Sequence, residues 1–189
     1  DVMVDSQRVD NLDSYDISLA ENFANLARIR QKSLTEITDF YAGAANKHHG
    51  SVVPTQDTGL GVVMKVPVGV CGVIVPWNFP MLIATWKLAP ALAAGNPVVL
   101  KPASLTPLSA LLLGSVLVEA GVPHEVVSVL PGPGATVGDA LVGDPRVDKI
   151  SFTGDSSTGA GILRRVADNM TRVSLELGGK SAAILFADA

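Results

Sequence analysis

"VCGVIVPWNFPMLIATWKLAPALAAGNPVVLKPAS", residues 70–104, reads as strand, corner, helix, strand. Val70 to Val75 form a continuous apolar run of the kind a strand buried on both faces requires. Pro76 and Pro80 cannot donate to a ladder, so they stop that strand and fix its exit path. Between them the corner carries Trp77, Asn78 and Phe79. Either it is a rigid turn whose aromatics simply pack, or it holds the Asn78 amide still as a hydrogen-bond donor for a developing oxyanion. The pentapeptide leaves both readings open. Leu82 to Ala94 have the length and composition of a helix, with Gly95 placed to end it, and Pro97 to Lys101 give the next strand.

Outward from this unit the same alternation continues. Strands are expected at Val70–Val75, Pro97–Lys101, Val126–Leu130, Lys149–Phe152, Arg172–Leu177 and Ala182–Phe186. Helices are expected at Leu82–Ala94, Pro107–Ala120, Thr136–Val142 and Thr158–Ala167, with Gly121 ending the second. Strands alternating with helices require a parallel sheet covered on both faces, so the fold class is α/β, a doubly wound parallel sheet. Amino-terminal helices precede it. Leu19, Phe23, Leu26, Ile29, Leu34, Ile37, Phe40 and Tyr41 recur at helical spacing between Ser18 and Asn46, and an extended linker follows through Val66. The expected division is 1–66 helical segment and linker, 67–177 nucleotide-binding domain, and 178–189 the start of a further domain.

Composition excludes several classes of function. The chain has 189 residues, 48% hydrophobic and 17% charged, enough for a sizeable core. Its formal net charge is −4, without a basic stripe, which argues against nucleic acid as partner. The apolar runs Leu88–Leu100 and Leu108–Val118 are too short or too broken to span a bilayer. The opening Asp1-Val2-Met3-Val4-Asp5 lacks the layout of a secretory signal. The single cysteine, Cys71, fits a reducing, cytoplasmic setting. The three histidines, His48, His49 and His124, lack metal-ligand spacing.

In a doubly wound sheet, ligands sit at the carboxyl ends of the strands. Four loops there are rich in candidates: Pro76-Trp77-Asn78, Lys101-Pro102-Ala103-Ser104, Pro131-Gly132-Pro133-Gly134 and Thr153-Gly154-Asp155-Ser156-Ser157-Thr158-Gly159. Glycine- or hydroxyl-rich turns entering helices beside a lysine suit a phosphate-bearing ligand. Standard phosphate motifs are absent. Gly154 and Gly159 are followed by Ala160 rather than Lys, and Gly179-Lys180-Ser181 has Ser174 where a P-loop needs glycine. No strand is followed by G-x-G-x-x-G. Glu176, near the end of an apolar strand, is either a general base with a raised pKa or an outward-facing residue of a half-buried strand.

These residues together resemble the aldehyde dehydrogenase superfamily. "PVGVCGVIVPWNFPMLIATWKLAPALAAGNPVVLKPAS", "TPLSALLLGSVLVEAGVPHEVVSVLPGPG", "VDKISFTG" and "VSLELGGKS" occur in the family's order and spacing. The resemblance covers Tyr41 to Ala189 well and the first forty residues loosely, with a shortened segment before Thr38. It implies a Rossmann-like variant of the dinucleotide-binding fold and NAD(P)-dependent oxidation of a small aldehyde to a carboxylic acid through a cysteine thioester. Asn78 would then donate to the oxyanion, an interaction whose loss costs about 3 kcal/mol, and Glu176 would activate water. Ile74, Val75, Pro76, Trp77 and Asn78 would line the cofactor cleft, with Lys101 and Ser104 at the adenosine ribose. Gly134 and Gly138 would lie near the adenine. Phe152, Thr153, Gly154, Asp155 and Gly159 would meet the pyrophosphate side, with Leu177 and Gly178 following the base. The resemblance also implies a homo-oligomeric full-length protein.

Three departures bear on chemistry. Ser104 stands where many NAD-preferring members carry glutamate, which removes a charge that would repel a 2′-phosphate, so NADP acceptance is expected as well as NAD. Asp155 stands where the family usually has serine and adds a negative charge, unless it caps the helix with its side chain turned away. Cys71 lies inside an apolar strand and is no substitute for the family's nucleophilic cysteine, which lies downstream of the Glu176 motif. With Asp1 in place of an initiator methionine, the expectation is a piece of a longer enzyme, inactive alone. The alternative is a stand-alone, non-catalytic dinucleotide-binding half-protein.

Overall fold

The computed structural model describes residues 34–56, 59–182 and 184–186. A helix, α1, runs over 34–44; the earlier part of the expected amino-terminal helical region lies outside the described residues. The stretch read as an extended linker instead contains a small antiparallel hairpin. Strand β1 (Ser51–Val53) pairs with β2 (Gly61–Val63), with Val52 opposite Val62. Paired β-branched residues suit a pleated ribbon, which the linker reading overlooked.

The main sheet has five strands: β3 (Cys71–Ile74), β4 (Val98–Lys101), β5 (Val127–Val129), β6 (Lys149–Gly154) and β7 (Arg172–Leu177), in the order β5-β4-β3-β6-β7. All neighbours are parallel. The chain starts at the centre with β3, moves outward through β4 and β5, then returns to the other side of β3 for β6 and β7. This is the expected doubly wound parallel sheet. Where the winding reverses, between β3 and β6, the chains leaving the two strands diverge and leave a crevice at their carboxyl ends.

Alternation along the strands divides the core into two layers. Cys71, Val73, Val75, Val98, Leu100 and Val127 pack with Ala84 and Leu88 of α2 (Pro80–Ala93) and Ala110 of α3 (Leu108–Glu119). On the opposite face Ile150 and Phe152 pack with Leu141 and Val142 of α4 (Asp139–Gly143), with Val147, and with Ile162 and Val166 of α5 (Ser156–Val166). Burying one such aliphatic side chain fully contributes about 1.5–3 kcal/mol. Gly72 faces the second layer, where a Cβ would lie 2.6 Å from Ile150 Cδ1. No helix among the described residues is long and apolar enough to cross a membrane.

Helix ends follow local chemistry. Pro80 opens α2 at a first-turn position, where its missing N–H costs nothing. Gly95 (φ +78°) and Gly121 (φ +93°) end α2 and α3 in the left-handed region, as their type predicts. Two expectations fail. The helix placed at Thr136–Val142 begins instead as a π-helical turn over Gly134–Gly138, where the Thr136, Val137 and Gly138 amides all donate to the Pro133 carbonyl. The strand expected at Ala182–Phe186 does not form: residues 182 and 184–186 lie outside any strand, and Ile184, Leu185 and Phe186 are exposed. A strand needs a neighbour to pair with, and an apolar run alone does not supply one.

The amino-terminal edge of the sheet is tied by side chains. Asn96, 5% exposed, accepts from the Val68 and Gly69 amides at 2.6 and 3.1 Å and donates to the Ala91 carbonyl at 3.1 Å. Asp148 accepts from the Val70 amide at 2.8 Å, and a Cβ at Gly69 (φ +112°) would run into that carboxylate. Asn96→Ala leaves the Val68 and Gly69 amides without their acceptor, while the backbone amide of residue 96 still donates to the Ala91 carbonyl. It is expected to lower unfolding stability by about 2–3 kcal/mol in urea titration, with Asn96→Asp losing less. A loss below about 0.5 kcal/mol would show that water replaces these bonds without cost.

Candidate functional site

The parallel register brings most of the expected residues to one edge. Ile74 lies beside Lys101 on one side and Phe152 on the other. Thr153 lies beside Glu176, and Gly154 beside Leu177. The Val75 amide donates to the Lys101 carbonyl at 3.2 Å and extends the β3–β4 pairing by one bond. Beyond it the chain turns through Pro76 to Pro80. Trp77 is 62% exposed and Phe79 is also exposed, so the corner is not built to bury its aromatics. The Phe79 carbonyl accepts from the Ile83 amide at 3.0 Å, which ties the corner to the first turn of α2. Asn78 is exposed on this corner, without a side-chain hydrogen bond to any described residue.

One side of the edge is cationic. Lys101 is 4% exposed, its ammonium donates to the Pro102 carbonyl at 2.9 Å, and no described carboxylate pairs with it. Burial pushes its pKa below the ordinary lysine value. Gly138 covers the lysine stem: a Cβ there would sit 3.8 Å from Lys101 Cε. The Ser104 hydroxyl donates to the Gly132 carbonyl at 3.0 Å, joining the loops after β4 and β5. Around Gly134 the space is open. The π-helical turn, Lys101 and Ser104 therefore form one cluster.

The β6 side is anionic. Asp155 is the N-cap of α5: its carboxylate accepts from the Ser157 amide at 2.8 Å, the Thr158 amide at 3.3 Å and the Ser157 hydroxyl. The Ser157 hydroxyl bond, followed by the backbone amides, holds the Asp155 pKa below the usual carboxylate value. Of the two roles open to this residue, capping is the one observed. Gly154 and Gly159 pack closely, since a Cβ would lie 2.6 Å from Phe152 Cζ and from Leu177 Cδ2 respectively, so a side chain at either position would have to displace that neighbour. A side chain at Gly178 would meet nothing within 4 Å.

Glu176 points outward. Along β7, Val173 and Leu175 are half-buried while Ser174 and Glu176 are exposed, which favours the plain reading of its position. It lines a cavity of about 590 Å³ over the face of β6 and β7, together with Ser151, Thr153, Lys149 and Lys87. Lys87 was missed from sequence. The available signal was a lysine four residues after Ile83, on a helix stripe facing the sheet. Its ammonium donates to the Ser151 hydroxyl at 2.9 Å, and Lys149 donates to the Ser174 hydroxyl at 2.7 Å. Burial lowers the Lys87 pKa; the Glu176 carboxylate opposes that shift, and the Lys149 charge adds to it. A second, apolar groove of about 520 Å³ between α1, α2 and α3 carries none of the expected site residues.

The signs of these couplings give a test by NMR titration of the lysine side chains. Glu176→Gln removes the charge that favours ammonium, so the Lys87 pKa is expected to fall further. Lys149→Met removes a like charge, so it is expected to rise. No change in either variant would mean that solvent screens the cavity.

The family model for "Aldehyde dehydrogenase family" matches residues 12–189, further toward the amino terminus than the motifs alone suggested. The chain is 52% identical over 151 residues to a mitochondrial aldehyde dehydrogenase of Leishmania tarentolae, covering 79% of this chain and 30% of that protein. It is 46% identical over 158 residues to betaine aldehyde dehydrogenase of Bacillus subtilis, covering 82% and 32%. Among solved structures it matches PnpE in complex with nicotinamide adenine dinucleotide, with TM-score 0.73 and 48% identity, covering 76% of this chain and 29% of that one. It also matches a betaine aldehyde dehydrogenase of Staphylococcus aureus in complex with NAD+, with TM-score 0.79 and 36% identity, covering 82% and 31%. The chain thus spans about 30% of the length of the curated relatives it matches. Over that span it belongs to the aldehyde dehydrogenase family.

Proposed function

We propose that this chain forms the dinucleotide-binding part of an NAD(P)-dependent dehydrogenase that oxidises an aldehyde to a carboxylic acid. The observation that carries the reading is Lys101: a lysine 4% exposed, without a described carboxylate partner, at the ligand-binding edge of a doubly wound sheet. One of its N–H groups has a recorded acceptor, and a ribose hydroxyl or phosphate oxygen would satisfy the others. Gly138 against the lysine stem and the open space at Gly134 leave room for a flat ring. These features fit a dinucleotide.

Ile74, Pro76 and Trp77 line the cleft from the β3 side, while Val75, 2% exposed, packs into the core layer with α2. Lys101 and Ser104 hold the adenosine ribose, and Thr153 and Gly154 border the far side, with Phe152 buried in the core layer behind them. When bound, the cofactor supplies the hydride acceptor. Asn78, held on a corner between two prolines with its amide unspent, donates to the substrate oxygen as negative charge develops there. Glu176 takes a proton from water in the cavity that it lines together with Lys87 and Lys149. Cys71 is 4% exposed and burial pushes its thiol pKa up, the opposite of what a nucleophile needs. The attacking thiolate therefore comes from outside these 189 residues, and the chain alone binds cofactor without turnover. Ser104 carries no charge to repel a 2′-phosphate, so NADP is accepted. The unpaired thiol favours a cytoplasmic setting, and the family relation favours a homo-oligomeric full-length protein.

Calorimetric titration of the chain with NAD and NADP tests this. Both are expected to bind, NADP no more weakly than NAD. Lys101→Met is expected to weaken both by about tenfold or more, the loss of a charge-assisted hydrogen bond, with the circular dichroism spectrum unchanged. Absence of binding overturns the reading. A preference for NAD of about a hundredfold overturns the role of Ser104, being too large for the loss of one neutral hydrogen bond. In a protein that includes the catalytic cysteine, Asn78→Ala is expected to lower kcat by about a hundredfold or more.

A further inference from the structure

We propose that Asp155 sets cofactor affinity by keeping dinucleotide phosphates off the amino terminus of α5, so that the ligand is held chiefly through its adenosine end. The inference rests on the dinucleotide reading above and deepens it. The site itself is placed by the buried, carboxylate-free Lys101 at the end of β4, not by the helix terminus.

A helix start with free first-turn amides attracts phosphate through its donors and its dipole. In α5, an 11-residue helix, those donors are spent inside the chain. The Ser157 amide, the Thr158 amide and the Ser157 hydroxyl converge on Asp155 Oδ1. No described lysine or arginine pairs with the carboxylate, which is exposed. It leaves a full negative charge one residue beyond Gly154, beside the crevice between β3 and β6. The edge is thus polarised, with a cation at β4 that no described carboxylate pairs and an anion at β6 that no described lysine or arginine pairs. A ligand with adenosine at one end and two phosphates in the middle gains at the first and is repelled at the second.

The test uses the whole chain with Asp155→Asn, which keeps a capping acceptor and removes the charge, and Asp155→Ser, which also caps. Thermal unfolding checks that each variant remains folded. Affinities for adenosine, ADP-ribose and NAD are then measured by calorimetry at low and high sodium chloride. Both variants are expected to bind ADP-ribose and NAD about tenfold more tightly than the native chain at low salt, with adenosine unchanged. The gain should shrink as salt rises past about 0.1 M, where screening shortens the reach of a charge to about 10 Å. A purely structural effect of the substitution would move adenosine as well and would not follow salt. Unchanged or weaker ADP-ribose binding in both variants overturns the proposal, as does a gain independent of salt. Failure of every protein, native included, to bind any of the three ligands overturns the dinucleotide reading and the inference with it. Equal affinities in native and variant chains overturn the inference alone.

Discussion

The structure depends on β3 pairing in parallel with β4 on one side and β6 on the other. Cys71 to Ile74 lie opposite Val98 to Lys101 and opposite Lys149 to Phe152 in unbroken register. That register puts every strand's carboxyl end on one edge and makes the chain diverge above β3. It also fixes the division of labour along each strand. In β4, Val98 and Leu100 go to the layer beneath α2 and α3, which leaves Lys101 on the side toward Gly138. In β6, Ile150 and Phe152 go to the α4–α5 layer, which leaves Lys149, Ser151 and Thr153 in the cavity with Lys87. Shifting β3 by one residue would exchange the two sets and remove both the core and the site.

Charge is distributed over this frame by desolvation more than by ion pairing. The ion pairs of the described residues, such as Asp144 with Arg146 and Asp139 with Arg165, include none of the charged groups of the candidate site. In the site, Lys101 and Lys87 carry their charge against burial, with a carbonyl or hydroxyl oxygen as the recorded acceptor. Unpaired buried cations cost folding free energy and attract anions strongly, because little water screens them. Such groups persist where a ligand or another chain segment completes them.

Much of this was legible in the sequence, and the reasons are local. Apolar runs of four to six residues, proline stops and helix-ending glycines located the five central strands and the helices within a few positions. Gly95 and Gly121 ended helices as their type predicts. The site edge followed from topology, since a doubly wound sheet has one productive edge. Other features depended on information that periodicity does not contain. Val52 and Val62 pair across a seven-residue loop, 54–60, that reads as linker. The π-helical turn arises because three amides share the Pro133 carbonyl, a geometry without a sequence period. Ala182–Phe186 has the composition of a strand but lacks a described neighbour to pair with. Lys87 was hidden because a lysine in an apolar helix is ordinarily a solvated one, and only the packing of α2 over β3 shows it reaching Ser151. Glu176 could be placed on its strand but not on a face until Val173 and Leu175 were seen to point inward.

The central claim is that the carboxyl edge of the parallel sheet holds a dinucleotide. The most direct measurement is a titration of the isotopically labelled chain with NAD, followed by amide chemical shifts. The account predicts perturbations confined to Ile74–Asn78, Lys101–Ser104, Gly134–Gly138 and the Phe152–Asp155 turn, leaving Val68–Val70 at the opposite edge unmoved. Perturbations concentrated in the apolar groove between α1, α2 and α3, or at the Asn96–Asp148 edge, would contradict it.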